Sequence, residues 1–167
     1  MTIAIYPGSF DPITNGHLDI VTRASRLFEK VIIGVYDVPP KNLMFTTKER
    51  VSLVKQSIAD LPNVDVKAFT GLTIDFARQV GAKAIVRGLR VVTDFEREFE
   101  MALMNKKLAP DCEVVCLMPN LRYQFLSSSL LKEVAQLGGC LEDMVPNHVA
   151  DALRKKFVPE FSQPARK

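Results

Sequence analysis

The sequence contains no run of about 18 or more apolar residues, the length a membrane-spanning helix requires. Its first residues, Met1-Thr2-Ile3-Ala4-Ile5-Tyr6, carry no basic segment leading into an apolar one, as an export signal would. Both absences point to a cytoplasmic protein with no membrane partner. Cysteine is scarce: Cys112, Cys116 and Cys140 are odd in number and fit no CxxC ligand spacing, so they are expected to be reduced and structural. Histidine is scarcer still, with only His17 and His148. Neither the GxxxxGK[ST] loop nor the GxGxxG dinucleotide fingerprint occurs. No internal repeat and no linker interrupts the chain.

What remains is 167 residues and 18.7 kDa, the size of one domain. A chain of that length buries roughly 70% of its unfolded surface, enough for a single core without metal or disulfide staples. A composition of 47% hydrophobic and 25% charged residues agrees and argues against disorder. The net charge of +3 sits mostly at the end: residues 154–167 hold five basic groups (Arg154, Lys155, Lys156, Arg166, Lys167) against Glu160, a local +4 that leaves −1 for residues 1–153. A nucleic-acid interface needs a basic stripe on the folded domain, so no nucleic acid is expected as partner. The organisation is one domain over 1–157 with a charged tail over 158–167.

Strand and helix patterns alternate. Ile3–Tyr6, Val31–Val35, Val64–Phe69, Ala84–Val86 and Glu113–Met118 read as five strands. Ile20, Val21, Ala24, Leu27 and Phe28 form an apolar helical stripe. Thr46 and Glu49 make a capping box, with Val51, Val54 and Ile58 as the buried face behind it. A helix near Thr73–Val80 ends at Gly81. Further helices run from Asp94 to about Asn105, from Ser128 to Leu137 before Gly138-Gly139, and from about Pro146 to Phe157. This alternation predicts an α/β fold, a doubly wound five-stranded parallel sheet with helices on both faces. In such sheets ligands bind at the carboxyl ends of the strands, where the strand order reverses.

The loops at those ends are rich in phosphate-binding residue types. The first, Tyr6-Pro7-Gly8-Ser9-Phe10-Asp11-Pro12-Ile13-Thr14-Asn15-Gly16-His17, brings two glycines and a histidine to a helix start, where unpaired N–H groups favour an anion. It fits equally an ordinary strand-to-helix turn. In the second, two prolines precede Lys41, a point charge for a phosphate or a solvated surface lysine. The third, Arg87-Gly88-Leu89-Arg90, offers forked donors to phosphate oxygens, or ion pairs to Asp94, Glu96 and Glu98; acidic partners also orient a phosphate-gripping arginine. The fourth, Asn120 to Ser129, opens a helix with three serines, whose hydroxyls and backbone N–H groups suit a triphosphate, whereas plain N-capping needs only one.

Together Gly8-Ser9-Phe10-Asp11-Pro12, Thr14-Asn15-Gly16-His17, Arg87-Gly88-Leu89-Arg90 and Ser127-Ser128-Ser129 resemble the phosphopantetheine adenylyltransferases, in the nucleotidyltransferase superfamily with a (H/T)xGH signature. The resemblance runs from about Ile3 to Phe157. It implies a Rossmann-like domain, adenylyl transfer from ATP to 4′-phosphopantetheine with magnesium, a homohexamer, and coenzyme A as feedback inhibitor. It implies that His17 stabilises the transition state; that Ser9, Phe10, His17, Gly88, Leu89, Arg90, Glu98, Tyr123, Gln124, Phe125, Leu126, Ser127, Ser128 and Ser129 bind ATP; and that Ser9, Lys41, Thr73 and Arg87 bind phosphopantetheine, Thr73 through its backbone. It implies no metal ligand from the chain. Ser9 stands where many relatives carry threonine, Leu126 where isoleucine is common, and Thr14 where the superfamily's first histidine sits. A sister enzyme acting on another phosphorylated small molecule, such as nicotinamide mononucleotide, shares the first motif.

The chemistry agrees with the scarcity of histidine. A phosphate monoester is already ionised near neutral pH, so its attack on the α-phosphorus of ATP needs no strong base, and catalysis rests on positioning and charge neutralisation.

Overall fold

In the computed structural model, residues 2–38, 42–90 and 92–157 are described, the side chains of Val92 and Thr93 excepted. Lys41 and the tail 158–167 lie outside the described residues. The elements are β1 (Ile3–Gly8), α1 (Asn15–Leu27), β2 (Lys30–Tyr36), α2 (Thr47–Ser57), β3 (Val64–Phe69), α3 (Thr73–Gln79), β4 (Ala84–Gly88), α4 (Val92–Leu108), β5 (Glu113–Leu117), α5 (Ser128–Gln136) and α6 (Asn147–Phe157), with one 3₁₀ turn at Leu121–Tyr123.

All strands pair in parallel, in the order β3-β2-β1-β4-β5. The expected doubly wound α/β sheet is therefore present, and the order reverses between β1 and β4. Alternation along the strands splits the core into two layers. Ala4, Tyr6, Val31, Ile33, Val35 and Val86 face the layer that includes buried residues of α1, α2, α5 and α6. Ile5, Ile32 and Ile85 face the other, built with Ile74, Phe76 and Ala77 of α3 and with Ala109 and Cys112. Gly34 belongs to the second layer by necessity: a Cβ there would meet Phe76 Cε1 at 2.7 Å and Phe69 Cε1 at 3.0 Å, and those two rings stack at 4.5 Å.

The helices follow their sequence signals with instructive departures. Both capping boxes form, at Thr46–Glu49 and also at Thr14–His17. Leu27 leaves the stripe expected for α1 and is 62% exposed. The chain turns extended at Phe28, which packs on the core in its place. The face of α2 is Arg50, Leu53 and Val54, while Val51 is only half-buried. α6 starts at Asn147, with Pro146 supplying the carbonyl that receives Val149 and Ala150. All three cysteines are unpaired, as expected; Cys112 is buried, whereas Cys116 and Cys140 are exposed. α4 carries exposed Phe95, Phe99, Met101, Leu103 and Met104.

Candidate active site

The site forms where the sheet opens. β1 and β2 stay in register from Ile3 to Gly8, whereas β1 and β4 pair at Ala4–Ala84 and Ile5–Ile85 alone. Beyond those pairs Arg87 bridges the two strands, its Nη1 donating to the Pro7 carbonyl at 2.9 Å. Its Nε and Nη2 donate to the two Glu98 oxygens at 2.7 and 2.5 Å. Burial opposes this charge, but the Glu98 bonds outweigh it and raise the Arg87 pKa above its ordinary value. Three of its five N–H donors are spent this way.

Arg90 is arranged alike. Its backbone N–H and Nε donate to Asp94 Oδ2 at 3.2 and 3.1 Å, and Nη1 donates to the Leu126 carbonyl at 2.7 Å. The ion-pair reading of the Arg87-Gly88-Leu89-Arg90 loop holds for Asp94 and Glu98 of α4, which pair with Arg90 and Arg87 and fix their direction. Glu98, expected to bind ATP, makes the bidentate contact to Arg87. The Arg90–Leu126 bond also ties this loop to the one before α5.

His17 sits in the first turn of α1, half-buried. The Thr14 backbone N–H donates to its Nδ1 at 3.1 Å. Nδ1 is therefore an acceptor, and the neutral ring carries its proton on Nε2. Phe10 braces the ring edge-on at 5.1 Å and is itself 2% exposed, so its ring packs the site. Gly8 makes room for that brace, since a Cβ there would lie 3.1 Å from the Phe10 ring. Tyr6 lies beneath both rings, and burial holds its phenol far above the ordinary value despite the Arg87 and Arg90 charges nearby.

The α5 start completes the crevice. Ser127 is its N-cap, accepting from Leu130 N–H at 3.1 Å. Ser128 Oγ donates to the Pro12 carbonyl at 2.8 Å, docking α5 on the first loop. Ser129 is exposed, and Tyr123, Gln124 and Phe125 run along the approach, Phe125 at 59% exposure. Leu89 and Leu126 are buried. Ser9 is half-buried in the first loop, Gly88 ends β4, and Thr73 opens α3 at the carboxyl end of β3. The structure thus gathers the first, third and fourth loops, with Thr73 on the same edge of the sheet.

Sequence reasoning passed over three charged residues that hold these loops: Asp11, Arg50 and Lys132. Asp11, in the first loop, is 1% exposed and pairs with Lys132 at 2.8 Å. Among the described residues no group of three or more His, Cys, Asp or Glu side chains is placed to hold a metal ion. The carboxylates nearest the crevice, Asp11, Asp94 and Glu98, are engaged by Lys132, Arg90 and Arg87.

Residues 5–134 match the family described as Cytidylyltransferase-like. A phosphopantetheine adenylyltransferase from Thermomicrobium roseum is 57% identical over 157 residues, 92% of this chain and 94% of that protein. One from Roseiflexus castenholzii is 54% identical over 157 residues, covering 94% and 98% of the two chains. A solved structure from Vibrio parahaemolyticus, named for nicotinate-nucleotide adenylyltransferase, covers 93% of both chains with a TM-score of 0.72 and 19% identity, a likeness of fold.

Proposed function

Because the chain belongs to the phosphopantetheine adenylyltransferases of the cytidylyltransferase-like family, we propose that the crevice between the carboxyl ends of β1 and β4 is where its reaction runs. The enzyme transfers the adenylyl group of ATP to 4′-phosphopantetheine, giving dephospho-coenzyme A and pyrophosphate, a step of coenzyme A biosynthesis. The relatives favour this acceptor over nicotinamide mononucleotide.

A 4′-phosphate oxygen attacks the α-phosphorus in line, a P–O bond forms, and the bond to the β-phosphate oxygen breaks as pyrophosphate departs. No proton need move in that step. The observation that carries the reading is the Thr14 N–H on His17 Nδ1, which leaves a donor tautomer at the start of α1. Nε2–H then meets the charge growing on the α-phosphate, a contribution of about 3 to 4 kcal/mol for one such donor. The N-terminus of α1 adds its own N–H groups and dipole.

Ser9, Phe10, Gly88, Leu89, Arg90 and the segment Tyr123 to Ser129 hold ATP; the buried Phe10, Leu89 and Leu126 do so through main-chain groups. Ser9, Lys41, Thr73 and Arg87 hold phosphopantetheine, and Glu98 acts by orienting Arg87. Magnesium enters as the counter-ion of ATP, carried by phosphates and water, a mode this ion favours; the pairing of Asp11, Asp94 and Glu98 supports that. The reading extends to a homohexamer, which the apolar exposed side chains of α4 support, to coenzyme A as a feedback inhibitor in the phosphopantetheine site, and to a cytoplasmic location.

The test is pyrophosphate release from ATP with 4′-phosphopantetheine, nicotinamide mononucleotide and glycerol 3-phosphate as competing acceptors. Turnover with the first alone is the expected result; turnover with either other acceptor alone would replace this reading.

A further inference from the structure

Arg50 is fully buried on α2, yet its hydrogen bonds go to no carboxylate. Nε donates to the Phe45 carbonyl at 3.2 Å, and Nη1 to the carbonyls of Ser9 and Tyr36 at 2.7 and 2.8 Å. Nη2 donates to the Asp37 carbonyl at 3.2 Å and to Thr47 Oγ1 at 2.9 Å. All five N–H donors therefore end on neutral oxygens drawn from the first loop, the end of β2, the segment before α2 and α2 itself. Burial disfavours this charge, and the Asp11 and Asp37 charges only partly offset that. What the arginine supplies is a fork that reaches carbonyls of four residues at once, each of which an apolar side chain would leave without this donor.

Asp11 acts on the same segment from the opposite side. Its carboxylate accepts from Phe45 N–H at 2.9 Å and Met44 N–H at 3.0 Å, and it pairs with Lys132 of α5. The N–H of Phe45 is thus held by Asp11 and its carbonyl by Arg50. The residue gripped on both sides, Phe45, lies four residues beyond Lys41 in sequence. The carbonyl of Ser9 is drawn to Arg50, so the N–H on the other edge of that trans peptide points away from it.

Resting on the function above, we propose that Arg50 and the Asp11–Lys132 pair are positioning residues, a buried clamp that fixes the Ser9 loop and the segment after β2 at one separation for the phosphopantetheine phosphate. They act through the Ser9 carbonyl and the main chain of Met44 and Phe45. The clamp also links that side to α5, the ATP side, through Lys132.

The experiment uses the full chain. Arg50→Lys keeps the buried charge but concentrates its donors on one nitrogen, which cannot span these acceptors. Its kcat/KM for 4′-phosphopantetheine should fall on the order of 100-fold, while ATP affinity by calorimetry, shared among Ser9, Phe10, Arg90 and the α5 start, should fall by less than about tenfold. Lys132→Met should shift the same ratio in the same direction, and Lys132→Arg should restore it. If Arg50→Lys does not fold, the Lys132 pair decides. Hydrogen exchange at the Met44 and Phe45 amides should quicken in folded Arg50→Lys. Normal kcat/KM with unchanged exchange, or parallel losses for both substrates tracking a lower Tm, would overturn the clamp. A wild-type protein inactive toward 4′-phosphopantetheine sinks the functional reading instead, and amide exchange then judges the clamp by itself.

Discussion

Thr14 and His17 hold each other at the start of α1: the Thr14 N–H donates to His17 Nδ1 at 3.1 Å, and Thr14 Oγ1 accepts the His17 N–H at 3.2 Å. A capping box ordinarily carries glutamate or glutamine at the third helical position. With histidine there, the motif that starts the helix also selects the tautomer of the ring.

His17→Ala should therefore lower turnover by about 10²- to 10³-fold, the loss expected for one donor to a developing charge. ATP binding measured by calorimetry should change far less, because the nucleotide is shared among Arg90, the first loop and the α5 start. Unchanged turnover would remove His17 from the chemistry.

Thr14→Ala separates the two duties of the box. Its side chain caps the helix, so stability should fall by about 1 kcal/mol. The backbone N–H that bonds Nδ1 survives the substitution, so kcat should drop much less than in His17→Ala. Equal losses of turnover in the two variants would show that the hydroxyl, and not the main chain, sets the ring.

Much of this site was legible because its loops follow directly from strands whose apolar runs are plain. His17, Arg87, Arg90 and the three serines stand at such junctions, and the strand order brings them together. Arg50, Asp11 and Lys132 were not legible, because their partners lie 41 residues away for Arg50–Ser9 and 121 for Asp11–Lys132. Arg50 did leave a signal: it stands four residues before Val54, in line with the apolar stripe of α2. A cation at a stripe position is normally taken as a solvated edge, and only the carbonyls of other segments reveal its role. Leu27 illustrates the converse, an apolar residue on the α1 stripe that the extended turn at Phe28 leaves outside.

Removing divalent metal with a chelator should abolish turnover while leaving the Tm of the ligand-free protein unchanged. The ion belongs to ATP in this reading, and the site carboxylates are already neutralised by Arg87, Arg90 and Lys132. A fall in Tm on chelation would point to a metal bound by the chain itself.

Gly34→Ala tests the second core layer, away from the crevice. The added methyl would approach the Phe76 ring to 2.7 Å. Phe69 and Phe76 are stacked and buried, so neither ring can swing aside without opening the layer. Overpacking of this kind costs about 1 to 3 kcal/mol, which thermal melting would detect as a drop of about 2 to 4 °C per kcal/mol for a chain this size. Full stability would mean that α3 shifts freely on the sheet.

Tyr6 gives the protein an alkaline limit. Burial, the largest influence, raises its phenol well above the ordinary 10.0, and the nearby Arg87 and Arg90 charges only partly offset it. The folded state therefore keeps this proton where the unfolded chain releases it. The stability linked to Tyr6 is fully present below pH 10.0 and declines above it as the unfolded state ionises. Tm should fall steadily above that pH, and Tyr6→Phe, which has no proton to lose, should flatten the part of the decline that Tyr6 causes. The phenolate absorbance of this one tyrosine should appear only with unfolding. If it rises in the folded protein near pH 10, the ring is reached by water and does not lie sealed beneath Phe10 and His17.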